Sequence, residues 1–417
     1  MPRVLLRLAS MFAIAAPAVA ADLPAIVDHV AANRGPSVVA SVPWERYAGD
    51  LRGLPIGVFD SGIGGLTVLE AILKLDAYDN AAGRPGADGV PDFAGERFVY
   101  LGDQANMPYG NYSSAGRVDF LRELIVRDLL FLLGDRYDGP DGAARRDKPP
   151  VKAVVIACNT ATAYGLADLR AALDRWNVPI PIVGVVEAGG RGALDALRAD
   201  TQAGTAAVLA TIGTCASGAY PRTIAQLAGR QGLQPPAVVQ FGSPGLAAAI
   251  EGAGGSVDDC LRTDVAALVA EHRRSGLQRP ITTVVLGCTH YPLVKDDIDR
   301  EFLRLRDDSA CRDLIAPRLT YVNPADETAR ELFRELFLRR MRTGAEVRPV
   351  ADRDAFYVTV GRDGPLSNDV KFGRVPGRFD AQDIRTIAMR DDAEVGAALK
   401  RWAARLPHVA RRLQPVD

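Results

Sequence analysis

Cys-x-x-Cys pairs are absent from these 417 residues, and the five cysteines stand at irregular distances. That pattern excludes a zinc ribbon and a disulfide framework. Charge of one sign is not in excess either: Lys plus Arg number 50 against 51 Asp plus Glu. Such a chain offers no field to attract nucleic acid or a charged membrane, so a small ligand is expected. After residue 20 no stretch approaches the roughly 18 uninterrupted apolar residues of a membrane span, and the mature chain is expected to have none. The turn after Phe59 has Gly62 and Gly64 but lacks the third glycine of a dinucleotide fingerprint.

What is present begins with an export-like leader. Arg3 and Arg7 precede the apolar run Leu8–Ala16, and Ala18-Val19-Ala20 supplies small residues for cleavage. Residues 1–20 therefore read as a signal peptide, with a periplasmic or secreted mature chain starting near Ala21. The 48% apolar fraction is ample for two domains.

From Ile56 the chain alternates short apolar runs with amphipathic stretches, which predicts a parallel α/β fold. Ile56–Phe59 leads into the turn Asp60–Gly65, and Ala153–Ile156 leads into Ala157-Cys158-Asn159-Thr160-Ala161. After Pro179 the scheme restarts. Ala206–Ala210 leads into a turn from Thr211 to Gly218, and Ile281–Val285 leads into Leu286-Gly287-Cys288-Thr289-His290-Tyr291-Pro292-Leu293. The expectation is two similar doubly wound parallel-sheet domains with the active site in the cleft between them. One domain takes residues 54–180 and 295–417, the other 181–294, behind an extension over 21–53. Residues 79–95 and 136–149 read as surface insertions, and a basic terminal helix near Glu394–Leu413 as a solvated one.

Two thiols delivered by similar strand ends suit removal of a proton from one face of a carbon and its return to the other, which is racemisation or epimerisation. A thiol titrates near 8.5, close enough to neutrality for one sulphur to act as thiolate while its partner acts as thiol. Asp60 could tune Cys158, and His290 could do the same for Cys288. Asn159, Thr160, Thr289, Ser61 and the backbone amides at Gly62 would hold a carboxylate and stabilise the carbanion.

These blocks, with Leu101-Gly102-Asp103, Pro108-Tyr109-Gly110 and Gly218-Ala219-Tyr220, resemble the motifs of the glutamate racemases, within the aspartate/glutamate racemase superfamily. They fall in the family's order over about residues 55–335. The resemblance implies a cofactor-independent, metal-free two-base racemase acting on a small amino acid. Cys158 would deprotonate D-glutamate and Cys288 L-glutamate, assisted by Asp60 and by His290 with Glu251. Ser61, Tyr109, Gly110, Asn159, Thr160, Thr211, Thr214 and Thr289 would contact substrate. It also implies sulphurs too far apart for a disulfide. A supply of D-glutamate for peptidoglycan is the family's role, although an export signal departs from its cytoplasmic habit.

Alternatives in the same superfamily are an aspartate or broad-specificity racemase, a different two-cysteine isomerase and a one-cysteine decarboxylase. The alternative of another class is a non-catalytic periplasmic receptor for an acidic amino acid. Homodimerisation stays open. Cys215, Cys260 and Cys311 read as packing residues, with a Cys260 to Cys311 bridge as the residual option.

Overall fold

The computed structural model describes residues 22–37, 39–200, 204–252, 254–343, 354–378, 383–402 and 404–413. The leader Met1–Ala20 lies outside them. Strands follow the apolar runs: β1 (Ile56–Asp60), β2 (Phe98–Gly102), the hairpin β3 (Tyr137–Asp138) and β4 (Ala144–Arg145), β5 (Ala153–Ile156) and β6 (Ile182–Gly184). Then come β7 (Thr205–Thr211), β8 (Val238–Ser243), β9 (Ile281–Gly287), β10 (Ile315–Val322), β11 (Ala355–Gly361) and β12 (Ile384–Ala388). β1, β2, β5 and β9 are buried along their whole length. Continuous apolar runs rather than alternating ones are what a sheet covered on both faces requires.

Among the described residues one sheet runs β12-β11-β2-β1-β5-β6 and another β10-β9-β7-β8. All pairings in them are parallel except β11 with β12. Within these sheets the quartet β2-β1-β5-β6 and the quartet β8-β7-β9-β10 have one order, so the repeat expected from the sequence is a repeat of topology. In each quartet the chain leaves the first strand for one side and returns on the other, which opens a crevice at the carboxyl ends of β1 and β7.

The division between the halves differs from the expected one. Ile182–Gly184 pairs with β5 and completes the first quartet, and Ile315–Val322 pairs with β9 and completes the second. Each quartet needs a fourth strand to cover the outer edge of its cysteine strand, and that strand is the next one along the chain. The restart expected after Pro179 marks the end of the first unit, since the helix Val185–Ala199 already begins at the end of β6.

The terminal helix is also different. It breaks into Ala393–Trp402 and Pro407–Leu413, with Leu406 standing before a proline that disfavours helix there. Trp402, Leu406 and Val409 are buried in the core of the first half, so this segment is not a solvated one. The N-terminal extension joins that core as well, through Ile26, Val27 and Val30 and the bond from Trp176 Nε1 to the Val27 carbonyl. No helix among the described residues is long and apolar enough to cross a membrane.

Candidate active site

β1 ends on Asp60, and the chain turns sharply over Ser61–Gly65 into the helix Leu66–Lys74. Asp60 Oδ2 accepts the amide protons of Gly62 (3.2 Å) and Gly65 (3.0 Å), which locks the turn onto the carboxylate. Tyr100 donates to the Gly62 carbonyl at 2.7 Å from the next strand. The glycines are sterically required, because a Cβ on Gly64 would stand 2.4 Å from His290 Cε1 and 2.6 Å from Thr289 Oγ1. The Asp60 turn is thus in contact with the loop that carries Cys288.

β5 ends one residue before Ala157, and Cys158 caps the helix Asn159–Trp176. Its sulphur accepts the Ala161 amide proton at 3.4 Å and lies 3.7 Å from Ser61 Oγ. On the other wall Cys288 follows β9. His290 Nδ1 lies 3.5 Å from Cys288 Sγ and 3.4 Å from Thr289 Oγ1, and Nε2 lies 2.8 Å from Glu251 Oε1. Cys158, Cys288, Asp60 and His290 are all buried.

Hydroxyls join the walls. Thr160 Oγ1 of the first half lies 3.2 Å from Thr211 Oγ1 and 3.1 Å from Thr214 Oγ1 of the second, and those two lie 3.0 Å apart. Thr67 donates to the Thr289 carbonyl at 2.7 Å. Gly110 backs directly onto Gly213, where a Cβ would stand 2.8 Å from the Gly110 backbone.

Burial dominates the electrostatics, and the neighbours decide the rest. Asp60 is raised to about 6 by burial, with His290 and the two turn amides opposing the rise. Burial and then the Asp60 charge push the Cys158 thiol well up, against the Ala161 amide and Ser61. Burial works against a charged His290, but bonds to Cys288 and Glu251 outweigh it and hold the imidazole well above its ordinary range.

Of the residues singled out in the sequence, Asp60, Ser61, Cys158, Asn159, Thr160, Thr211, Thr214, Glu251, Cys288, Thr289 and His290 come together here, with Gly110 at the seam. Tyr109 is different. Its hydroxyl lies 2.5 Å from Asp103 Oδ2 and 2.8 Å from Asp128 Oδ2, all three residues being buried, so the phenol is engaged by these carboxylates. A phenol beside two buried carboxylates satisfies groups that would otherwise be costly to bury. Sequence reasoning missed Tyr220, whose hydroxyl donates to Asn159 Oδ1 at 2.6 Å, although it stands in one of the recognised blocks. It also missed Thr67 and Trp402, which no local pattern marks.

The five cysteines are free. Cys260 lies in the first turn of the helix Val257–Arg274, while Cys311 Sγ meets Arg273 at that helix's far end. At about 1.5 Å of rise per residue the two are far beyond bridging range. Among the described residues no group of three or more His, Cys, Asp or Glu could hold a metal ion.

Residues 141–316 match the family described as Asp/Glu/Hydantoin racemase. The chain is 32% identical over 280 residues to a glutamate racemase of Limosilactobacillus fermentum, covering 66% of this chain and 77% of that one. It is 31% identical over 338 residues to a glutamate racemase of Pediococcus pentosaceus, covering 81% and 98%. Among solved structures, a glutamate racemase isoform of Bacillus anthracis superposes with a TM-score of 0.51 at 26% identity, over 77% of this chain and 91% of its own. Two α/β halves meeting over a pair of thiols, with these likenesses, define an isomerase of the amino-acid racemase class. The chain belongs to the aspartate/glutamate racemase family. The receptor alternative finds no support in these likenesses.

Proposed function

We propose that this racemase interconverts L- and D-glutamate by a two-base route through Cys158 and Cys288. The observation that carries the reading is the pairing of each sulphur with its own polar partner, Ser61 and Asp60 for one and His290 with Glu251 for the other. In one direction the Cys288 thiolate takes the α-proton of L-glutamate, leaving a planar carbanion. The Cys158 thiol then gives its proton to the opposite face, and D-glutamate leaves with Cys158 as thiolate and Cys288 as thiol. The reverse reaction exchanges the two roles. Asn159, Thr160, Thr211, Thr214, Thr289 and Ser61 are the donors and acceptors available to the substrate's charged groups, while the Gly62 amide is held by Asp60. Glutamate as substrate is supported by the names of the relatives, and a small ligand by the near-neutral charge of the chain.

The test is chiral and mass analysis of glutamate, aspartate and several neutral amino acids incubated with the mature protein in deuterated water. D-glutamate carrying one α-deuterium is the expected product of L-glutamate. Absence of both inversion and α-exchange would overturn the reading. We further infer export to the periplasm or medium, with D-glutamate serving peptidoglycan chemistry, supported by Arg3, Arg7 and the segment ending Ala18-Val19-Ala20. Finding only uncleaved chain in the cytosol would contradict the export. Sizing of the purified protein reads whether it pairs as a homodimer.

A further inference from the structure

Every side chain used above comes from the two quartets of strands and their loops, yet a residue of the C-terminal segment also reaches the site. The rings of Trp402 and His290 lie 5.8 Å apart between centroids, with their planes at 81°. Trp402 is 5% exposed and His290 6%, so the contact is shielded from water. The segment that brings the indole there is tied down close by. The helix Pro407–Leu413 closes on Glu70, whose Oε1 lies 2.6 Å from His408 Nδ1 and accepts the His408 amide proton at 3.2 Å, while Oε2 accepts that of Val409 at 2.8 Å. Glu70 belongs to the helix that leaves the Asp60 turn. Trp402 is therefore anchored to the Asp60 side of the site while its ring touches a residue of the Cys288 side.

His290 has to satisfy two partners at once, Cys288 through Nδ1 and Glu251 through Nε2. A half-turn of the ring puts carbons Cδ2 and Cε1 where Nδ1 and Nε2 now stand, and a smaller swing breaks both contacts. A near-perpendicular aromatic neighbour at this spacing favours one ring plane over the others. We infer that Trp402 is a positioning residue for the Cys288 half of the reaction: its indole holds the His290 ring in the one plane that serves Cys288 and Glu251 together, and it keeps water off that ring. This rests on the two-cysteine reading. On the Cys158 side the aromatic neighbour Tyr100 acts through its hydroxyl on the Gly62 carbonyl rather than through its ring on a proton carrier, so the effect of Trp402 is one-sided.

One-sidedness supplies the test. Enantiomers are equally stable, so kcat/KM is equal in the two directions for any variant, and a lesion on one face cannot appear as a difference between them. It appears in isotope effects instead. With α-deuterated L-glutamate the deuteron leaves toward Cys288, and with α-deuterated D-glutamate it leaves toward Cys158. W402A and W402L are expected to lower kcat/KM by about 10-fold, the upper end for losing one aromatic pair. In both variants the deuterium effect on kcat/KM should rise for the L substrate and stay level or fall for the D substrate. W402F, which keeps a ring, should stay within about 3-fold of the parent on the same scale. W402L fills most of the indole's space and reads the ring contact where W402A is poorly folded.

Parent kinetics in W402L would overturn the inference, and so would a loss in which both isotope effects move alike, because a merely structural residue weakens both faces. Failure of the underlying reading looks different. A parent enzyme that exchanges the α-hydrogen of neither enantiomer removes the two-cysteine scheme and this assignment with it, whereas a parent that racemises beside a symmetric W402L removes the assignment alone.

Discussion

The two sulphurs stand at equivalent places in a repeated topology and are served by unlike chemistry. Cys158 follows β5 and Cys288 follows β9, each beside the central first strand of its quartet. Around Cys158 are a carboxylate, a hydroxyl and the first turn of an 18-residue helix. Around Cys288 are an imidazole, the carboxylate that holds it and a tryptophan ring. Burial raises the first thiol and Asp60 beside it, whereas the second faces a ring whose bonds to Cys288 and Glu251 raise its hold on a proton. A reaction on the two faces of one carbon needs opposed proton carriers, but it does not need matching ones. Similar strand order sets the positions, and the loop residues set the chemistry.

That contrast can be broken most severely at the thiols. Cys158→Ser and Cys288→Ser should each reduce two-way racemisation by on the order of 10²–10⁴-fold, with far-UV circular dichroism unchanged. Full turnover by either variant would show that one wall suffices. The next effect is at Asp60. Its carboxyl, raised to about 6, is ionised above that pH and neutral below it, so it can accept a proton or orient Cys158 only on the alkaline side. The kcat/KM profile should therefore fall as pH drops through about 6, and Asp60→Asn should lose about 100-fold in rate together with that limb. A profile unchanged in the Asn variant would detach Asp60 from the Cys158 wall. The mildest change is Tyr220→Phe, which frees Asn159 Oδ1 from its one phenolic donor. Loss of a hydrogen bond of about 1 kcal/mol predicts an approximately 5-fold fall in kcat/KM, read by steady-state kinetics.

Legibility varied with how local the signal was. The cysteines, Asp60 and His290 stand next to buried apolar runs, and a strand end followed by a glycine or polar turn is a pattern of adjacent residues. Glu251 has no such marker and was reached through resemblance alone; its place 2.8 Å from His290 depends on how the helix Leu246–Glu251 packs. Tyr109 shows the opposite case. Its motif reads as a substrate contact, and nothing in that motif announces that two buried carboxylates far apart in sequence from each other, Asp103 and Asp128, engage its hydroxyl. The terminal helices were read as solvated because their arginines are conspicuous, while Trp402, Leu406 and Val409 take them into the core.

Chain order alone determined the parallel α/β class, the repeat and the pair of thiols, because strand periodicity and turn chemistry act over a few residues. Only the folded chain decided which half owns β6 and β10, where the Tyr109 hydroxyl goes, and that a tryptophan over a hundred residues past Cys288 rests against His290. Those outcomes turn on burial and on partners brought together from distant segments, and neither quantity is a property of any short stretch.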